Sequence, residues 1–97
     1  MENKIKWGIL STGHIANKFA DALALLPEAE LVAVASRDIQ TANNFAAKYN
    51  ISKAYGSYEE LAADPDIEVI YIGTPHTYHL EYSVMCMRKG KAVLCEI

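Results

Sequence analysis

The chain predicts an α/β domain: a doubly wound parallel sheet of five strands in the order 3-2-1-4-5. Three observations point to it. Short apolar runs alternate with longer stretches at helical spacing. The joints between them are short and rich in Gly, Pro, Asn, Asp and Ser. The first joint, Ser11 to Ala16, is a small-residue turn between a strand and a helix. Strands alternating with helices through right-handed crossovers build a parallel sheet.

Each element has its own signal. Ile5–Leu10 is an apolar-rich run of the kind a buried parallel strand shows. From His14 to Leu26 the residues Ile15, Phe19, Ala22, Leu23 and Leu26 recur at helical spacing, and Pro27 ends the segment. Leu31–Ala35 is a second buried strand. Asp38 is placed to cap a helix carrying Ile39, Ala42, Ala46 and Tyr49 on one face. Lys53–Tyr55 is a short extended piece, and Ser57-Tyr58-Glu59-Glu60 is a capping box opening a third helix. Asp64-Pro65-Asp66 breaks the chain before a fourth strand, Glu68–Ile72. A turn at Gly73-Thr74-Pro75 leads to a helix from about Thr77 to Arg88, and Lys89-Gly90 separates it from a fifth strand, Ala92–Cys95.

Bulk composition narrows the function classes. Ninety-seven residues form one domain, and 52% hydrophobic with 22% charged residues is ordinary for a soluble globular chain. A net charge of −3 leaves no basic face for nucleic acid. No apolar run reaches membrane-spanning length, and Met-Glu-Asn-Lys is no secretory leader, so a cytoplasmic location without membrane partners is expected. Cys86 and Cys95 fit no zinc pattern and are expected as reduced, buried thiols.

Two loops carry chemistry. In the turn pattern G-x-G-x-x-G/A, the three small positions fall on Ser11, Gly13 and Ala16. Small residues there let the backbone approach a pyrophosphate, whose charge rests on the helix N-terminus. The strand order places this turn and Gly73–His76 at one crevice, between strands one and four, and that context makes the domain Rossmann-type. Some twenty residues beyond the turn, an acidic residue would hold an NAD ribose. Strand two instead ends in Ser36-Arg37-Asp38. A hydroxyl and a guanidinium suit the 2′-phosphate of NADP. Asp38 keeps NAD open, although capping a helix explains it as well. Thr74 and His76 are placed to contact the ribose or nicotinamide side. His76 and His79 lack the further ligands a metal needs, so no metal site is expected. Trp7, Tyr55 and Tyr58 read as packing residues. Tyr78, Tyr82 and Met85, with Leu80, Val84 and Met87, make the last helix apolar on more than one side.

Lys53-Ala54-Tyr55-Gly56-Ser57-Tyr58-Glu59-Glu60-Leu61, Gly73-Thr74-Pro75-His76 with His79, and Gly90-Lys91-Ala92-Val93-Leu94-Cys95-Glu96 together resemble the glucose-fructose oxidoreductase/inositol dehydrogenase (Gfo/Idh/MocA) family. The resemblance runs from Ile5 to Glu96 and implies an NAD(P)-binding Rossmann domain over residues 1–97. It implies cofactor-phosphate contacts at Ser11, Thr12, Gly13, His14 and Ile15, and 2′-phosphate contacts at Ser36 and Arg37. Thr74, Pro75, His76 and His79 would lie near the nicotinamide, and Glu96 would open a Glu-Lys-Pro motif. The motif's lysine position holds Ile97, and an isoleucine side chain exchanges no proton, so no catalytic residue is assigned in this chain.

Family members carry a second α/β domain that binds substrate and mediates dimerisation. The resemblance therefore implies a sugar or dihydrodiol substrate and a homodimer for the two-domain protein, with this chain holding cofactor alone. The alternative is a free-standing, non-catalytic nucleotide-binding or interaction module. A flavodoxin-like or response-regulator domain fits less well, because Ser11-Thr12-Gly13 stands where an acidic cluster would follow strand one.

Overall fold

The computed structural model describes residues 4–74 and 79–95. Its elements are β1 (Ile5–Leu10), α1 (His14–Leu23), β2 (Ala29–Ala35), α2 (Ile39–Tyr49), β3 (Lys53–Tyr55), α3 (Tyr58–Ala62), β4 (Val69–Ile72), α4 (His79–Arg88) and β5 (Ala92–Cys95). The five strands form one parallel sheet in the order β3-β2-β1-β4-β5, as the sequence predicts.

Alternating strand side chains divide the interior into two layers. On one face Ile9, Val34 and Tyr71 pack against Ala16 and Ala20 of α1 and Phe45 and Ala46 of α2. On the other, Leu10, Ala35, Ile70 and Ile72 pack against Leu61 and Ala62 of α3 and Cys86 of α4. At Gly8 the second layer packs closely on the sheet. A Cβ there would stand 3.0 Å from both Ile67 Cδ1 and Leu61 Cδ1, so a larger residue would force those two side chains to give way.

Several local expectations are corrected. Helix α1 ends at Leu23, and its inward face is Ala16, Ala20 and Leu23 with half-buried Phe19. Ile15, Ala22 and Leu26 are exposed. Two alanines let the helix lie close to the sheet, and bulkier apolar residues are displaced to its flanks. Phe19 stacks on Tyr71, with ring centroids 3.9 Å apart, and meets Trp7 at 5.3 Å, so Trp7 is half-buried rather than central. In α2 the missed core residue is Phe45, while Ile39 is exposed. Strand β2 starts at Ala29, two residues before the apolar run, because Ile5 and Lys6 pair with Ala29 and Glu30. Cys86 is fully buried and burial pushes its thiol up to about 11, whereas Cys95 is half-buried with Sγ 3.1 Å from Ser83 Oγ.

The caps behave as the sequence implies. Asp38 accepts from the Gln40 amide at the start of α2, and Ser57 accepts from the Glu60 amide at the start of α3. The capping box is modified, since the Ser57 hydroxyl also donates to Glu60 Oε1 at 3.2 Å.

Candidate functional site

The carboxyl ends of β1, β2 and β4 form one continuous rim. Beyond each strand the ladder extends by one bond: Ser11 N–H donates to Ala35 O (2.9 Å), Ser36 N–H to Tyr55 O (3.1 Å) and Gly73 N–H to Leu10 O (3.1 Å). Ser36, Ser11 and Gly73 therefore stand in a row, and the loops that leave them share one side of the molecule. Crevices of this kind, outside the strand ends where chain direction across the sheet reverses, are the usual ligand sites of open α/β sheets.

The β1–α1 turn has an unusual backbone. Ser11 has φ of 112°, a region that glycine enters freely and other residues enter under strain. The turn thus keeps the conformation of the pattern's first glycine without the glycine. Two positions later, a Cβ added to Gly13 would meet nothing nearer than Ser11 Oγ at 3.9 Å. The fold's own packing does not exclude a side chain at Gly13, so its absence serves access to the backbone from outside. Gly13 is also the N-cap of α1, extended and with no side-chain capping hydrogen bond. First-turn amides of a helix lack intrahelical acceptors and lie at the positive end of its dipole. Such a turn can receive an anion, and a phosphate fits it. Ala16, fully buried, allows the close approach of α1 to the sheet that the third small position requires.

A polar strut that the sequence reading missed supports this turn from behind. Asn17 Nδ2 donates to Gly13 O at 3.0 Å and to Thr12 O at 3.5 Å. Its Oδ1 accepts from Tyr49 Oη at 2.7 Å and from Lys48 Nζ at 2.9 Å. Both carbonyls that shape the turn are thereby tied to the last turn of α2. The available signal was a lone amide side chain four residues after Gly13, on an otherwise apolar helical repeat.

At the end of β2, Ser36 is 9% exposed and its Oγ accepts from the Asp38 amide at 3.3 Å. Asp38 spends its carboxylate locally, on the Gln40 amide (3.3 Å) and the Thr41 hydroxyl (2.9 Å). Arg37 leans the other way, toward α3 and α4. Its Nη2 donates to Tyr82 Oη at 2.9 Å, and its Cζ lies 5.9 Å from the Tyr58 ring centroid. Tyr58 and Tyr82 meet edge to face at 5.0 Å. Burial raises the Tyr58 hydroxyl's pKa, and the nearby Arg37 charge partly offsets that effect. Tyr58 is thus more than a packing residue.

Of the other predicted residues, Thr12 is half-buried in the turn, and His14 and Ile15 are exposed on the first turn of α1. Thr74 is buried directly after Gly73, whose position abuts Ala16. The rim therefore brings together Ser11, Thr12, Gly13, His14, Ile15, Ser36, Arg37 and Thr74 from three loops. His79 opens α4. Pro75, His76, Glu96 and Ile97 lie outside the described residues, as do the side chain of His79 and the expected helix start at Thr77 and Tyr78. Among the described residues, no group of three or more His, Cys, Asp or Glu could hold a metal ion, and no helix is long and apolar enough to cross a membrane.

Sheet order, crevice and small-residue turn define a Rossmann-type nucleotide-binding domain. Residues 5–97 match the family described as "Oxidoreductase family, NAD-binding Rossmann fold", and the chain belongs to this Gfo/Idh/MocA family. It is 58% identical over 93 residues to trans-1,2-dihydrobenzene-1,2-diol dehydrogenase of Xenopus laevis, covering 94% of this chain and 28% of the relative. The human protein of that name is 53% identical over 94 residues, covering 95% and 28%. The chain thus spans little more than a quarter of the length of these relatives. Among solved structures, a 3-ketoreductase from Actinomadura kijaniata in complex with NADP and TDP-benzene superposes with a TM-score of 0.92 at 29% identity, covering 96% of this chain and 29% of that one. An NAD-binding oxidoreductase from Klebsiella pneumoniae gives 0.90 at 31%, covering 95% and 27%.

Proposed function

We propose that this chain is the NADP-binding domain of an oxidoreductase that moves a hydride between the nicotinamide and a sugar or dihydrodiol hydroxyl. The observation that carries the choice of NADP is the division of labour at the end of β2. Asp38, the residue that would suit an NAD ribose, is engaged as the α2 cap, while the Arg37 guanidinium takes no part in that cap and lies against Tyr82 and Tyr58. A guanidinium fork suits phosphate oxygens. The name of the Actinomadura structure, with NADP bound, supports the same choice.

In this reading the exposed backbone at Gly13 and the first turn of α1, at His14 and Ile15, receive the pyrophosphate, with Ser11 and Thr12 forming the turn. Ser36 and Arg37 receive the 2′-phosphate. Thr74, with Pro75, His76 and His79 of the same resemblance, contacts the nicotinamide end, and Glu96 is a further cofactor contact that the resemblance implies. When bound, the nicotinamide supplies the hydride acceptor or donor. The dihydrodiol substrate class rests on the names of the curated relatives, and homodimer formation on the family resemblance.

A second reading has its own observation. Residue 97 is Ile where the resemblance puts Lys, and a side chain without an exchangeable proton favours cofactor binding without turnover by this chain. Dihydrodiol- or aldose-dependent reduction of NADP by the purified chain would overturn that second reading.

Titration of the chain with NADPH and NADH, followed by nicotinamide fluorescence, tests the main reading. NADPH should bind more tightly, and Arg37→Ala should cost it about 10- to 30-fold while leaving NADH nearly unchanged, the loss expected for one charge-assisted phosphate contact. Equal affinities in the unmodified chain would overturn the NADP assignment. Binding of neither would overturn the cofactor reading altogether.

A further inference from the structure

We infer that Tyr82 and Tyr58 are positioning residues for the 2′-phosphate subsite, holding the Arg37 guanidinium in place before the cofactor arrives. The inference rests on the NADP reading above and extends it to two side chains that the nucleotide motifs do not include.

Arg37 follows β2, whereas Tyr82 lies on α4, which follows β4. In the order β2-β1-β4, the contact of 2.9 Å between them joins chain segments that leave strands on either side of β1. Tyr58, the first residue of α3, is set by the Ser57 cap just before it. Its ring lies under the guanidinium, within cation–π range, and its edge-to-face contact with Tyr82 fixes the two rings relative to each other. Both tyrosines also pack against the buried cluster around Leu61 and Cys86. The cation therefore rests on two aromatic supports that are themselves anchored in the core.

A long arginine side chain loses considerable rotamer freedom when it is ordered on a ligand. Ordering it beforehand removes that cost from binding and raises affinity without any new contact to the ligand. The benefit falls only on a ligand that uses the guanidinium. A cofactor with a 2′-phosphate gains, and one with a bare ribose does not. The Tyr82 hydroxyl does not account for the apolar packing of α4, since phenylalanine would fill the same core space. Holding Arg37 accounts for the oxygen.

Tyr82→Phe tests this cleanly, because it removes one oxygen and keeps the ring. Dissociation constants of the full chain would be measured for NADPH, NADH, adenosine 2′,5′-bisphosphate and 5′-AMP. The expected result is a loss of about three- to tenfold for NADPH and for adenosine 2′,5′-bisphosphate, with NADH and 5′-AMP changed less than about twofold. Tyr58→Leu, which removes the aromatic face, should shift the same two ligands in the same direction. Equal loss for both cofactors, no loss at all, or tighter NADPH binding would each overturn the inference; the last would mean that Tyr82 competes with the phosphate for Arg37. Failure of the underlying reading looks different. There the unmodified chain would show no NADPH preference, or Arg37→Ala would leave that preference intact, and the positioning role would fall with it.

Discussion

The two ends of the sheet solve different problems with similar residues. At the amino ends of β3, β4 and β5, polar groups converge on one buried carboxylate. Asp64, 4% exposed, accepts from Lys53 Nζ at 3.0 Å, from Tyr55 Oη at 2.7 Å and from the Asp66 amide at 2.9 Å. Lys53 also reaches Asp66 at 2.8 Å, and Lys91 Nζ donates to Asp64 O at 2.6 Å. At the carboxyl ends, the turns are short and local, one residue is strained, and α1 begins without a capping side chain. One rim spends its hydrogen bonds on itself, and the other keeps backbone donors at the surface. Polarity alone does not mark a binding site; the marks are an uncapped helix start and a glycine whose missing side chain the fold does not need.

Breaking the amino-end cluster should have the largest effect, and on stability alone. Burial by itself would raise the Asp64 carboxyl, but the Tyr55 hydroxyl, the Asp66 amide and Lys53 outweigh burial and hold it below the ordinary value. Lys53 likewise lowers Asp66. A carboxyl lowered on folding contributes stability that is present above its unfolded value, near 4, and is lost as pH falls through the folded value. Asp64→Asn should cost about 2 kcal/mol at pH 7, about 8–16 °C in Tm, because it leaves Lys53 without its buried partner. The gap from the unmodified chain should narrow below about pH 4. Cofactor affinity measured well below Tm should not change. A gap that stays constant down to acid pH, or a loss of NADPH binding by folded Asp64→Asn, would mean that the two rims are not separable.

Much of this contrast was legible in the sequence, and the exceptions share a cause. Apolar runs of four to six residues located β1, β2 and β4 because a parallel sheet buries both faces of its interior strands. Asp38 and Ser57 announced α2 and α3 because capping is local chemistry. The inward face of α1 was misread, since a periodicity count favours large residues while Ala16 and Ala20 make the contact. Asn17, Tyr58 and Tyr82 escaped because their partners lie 32, 21 and 45 residues away, in Tyr49, Arg37 and again Arg37. Tyr55 and Lys53 escaped for a related reason. A short strand with alternating side chains places both on one face, and only the fold shows that Asp64 meets them there.

Cutting the strut behind the phosphate turn is the intermediate perturbation. Asn17→Ala releases the Gly13 and Thr12 carbonyls from α2, removes the acceptor of Lys48, and leaves Tyr49 Oη only its 3.3 Å bond to the carbonyl of residue 17. A turn that must order itself on the ligand binds less tightly, by about three- to tenfold. The loss should be equal for NADPH and NADH, because both carry the same pyrophosphate. That equality separates the turn from the Arg37 supports, where the loss should fall on NADPH alone. Unchanged affinities in titrations with the two cofactors would reduce the strut to a purely structural link.

The smallest expected change lies at Ser11. At φ of 112° a serine is strained, and glycine would relieve that strain. The substitution also costs: glycine gives the unfolded chain more freedom, and the Ser11 Oγ contact with the Gly13 amide, at 3.4 Å, is lost. That contact is long for a hydrogen bond, so strain relief should win. Ser11→Gly is expected to raise stability by about 0.5–1 kcal/mol, a few degrees in Tm. Cofactor affinity should be unchanged or slightly higher, because the glycine restores the turn pattern without moving the backbone. A lower Tm would mean that the serine side chain, rather than the turn's conformation, is what the chain has retained at this position.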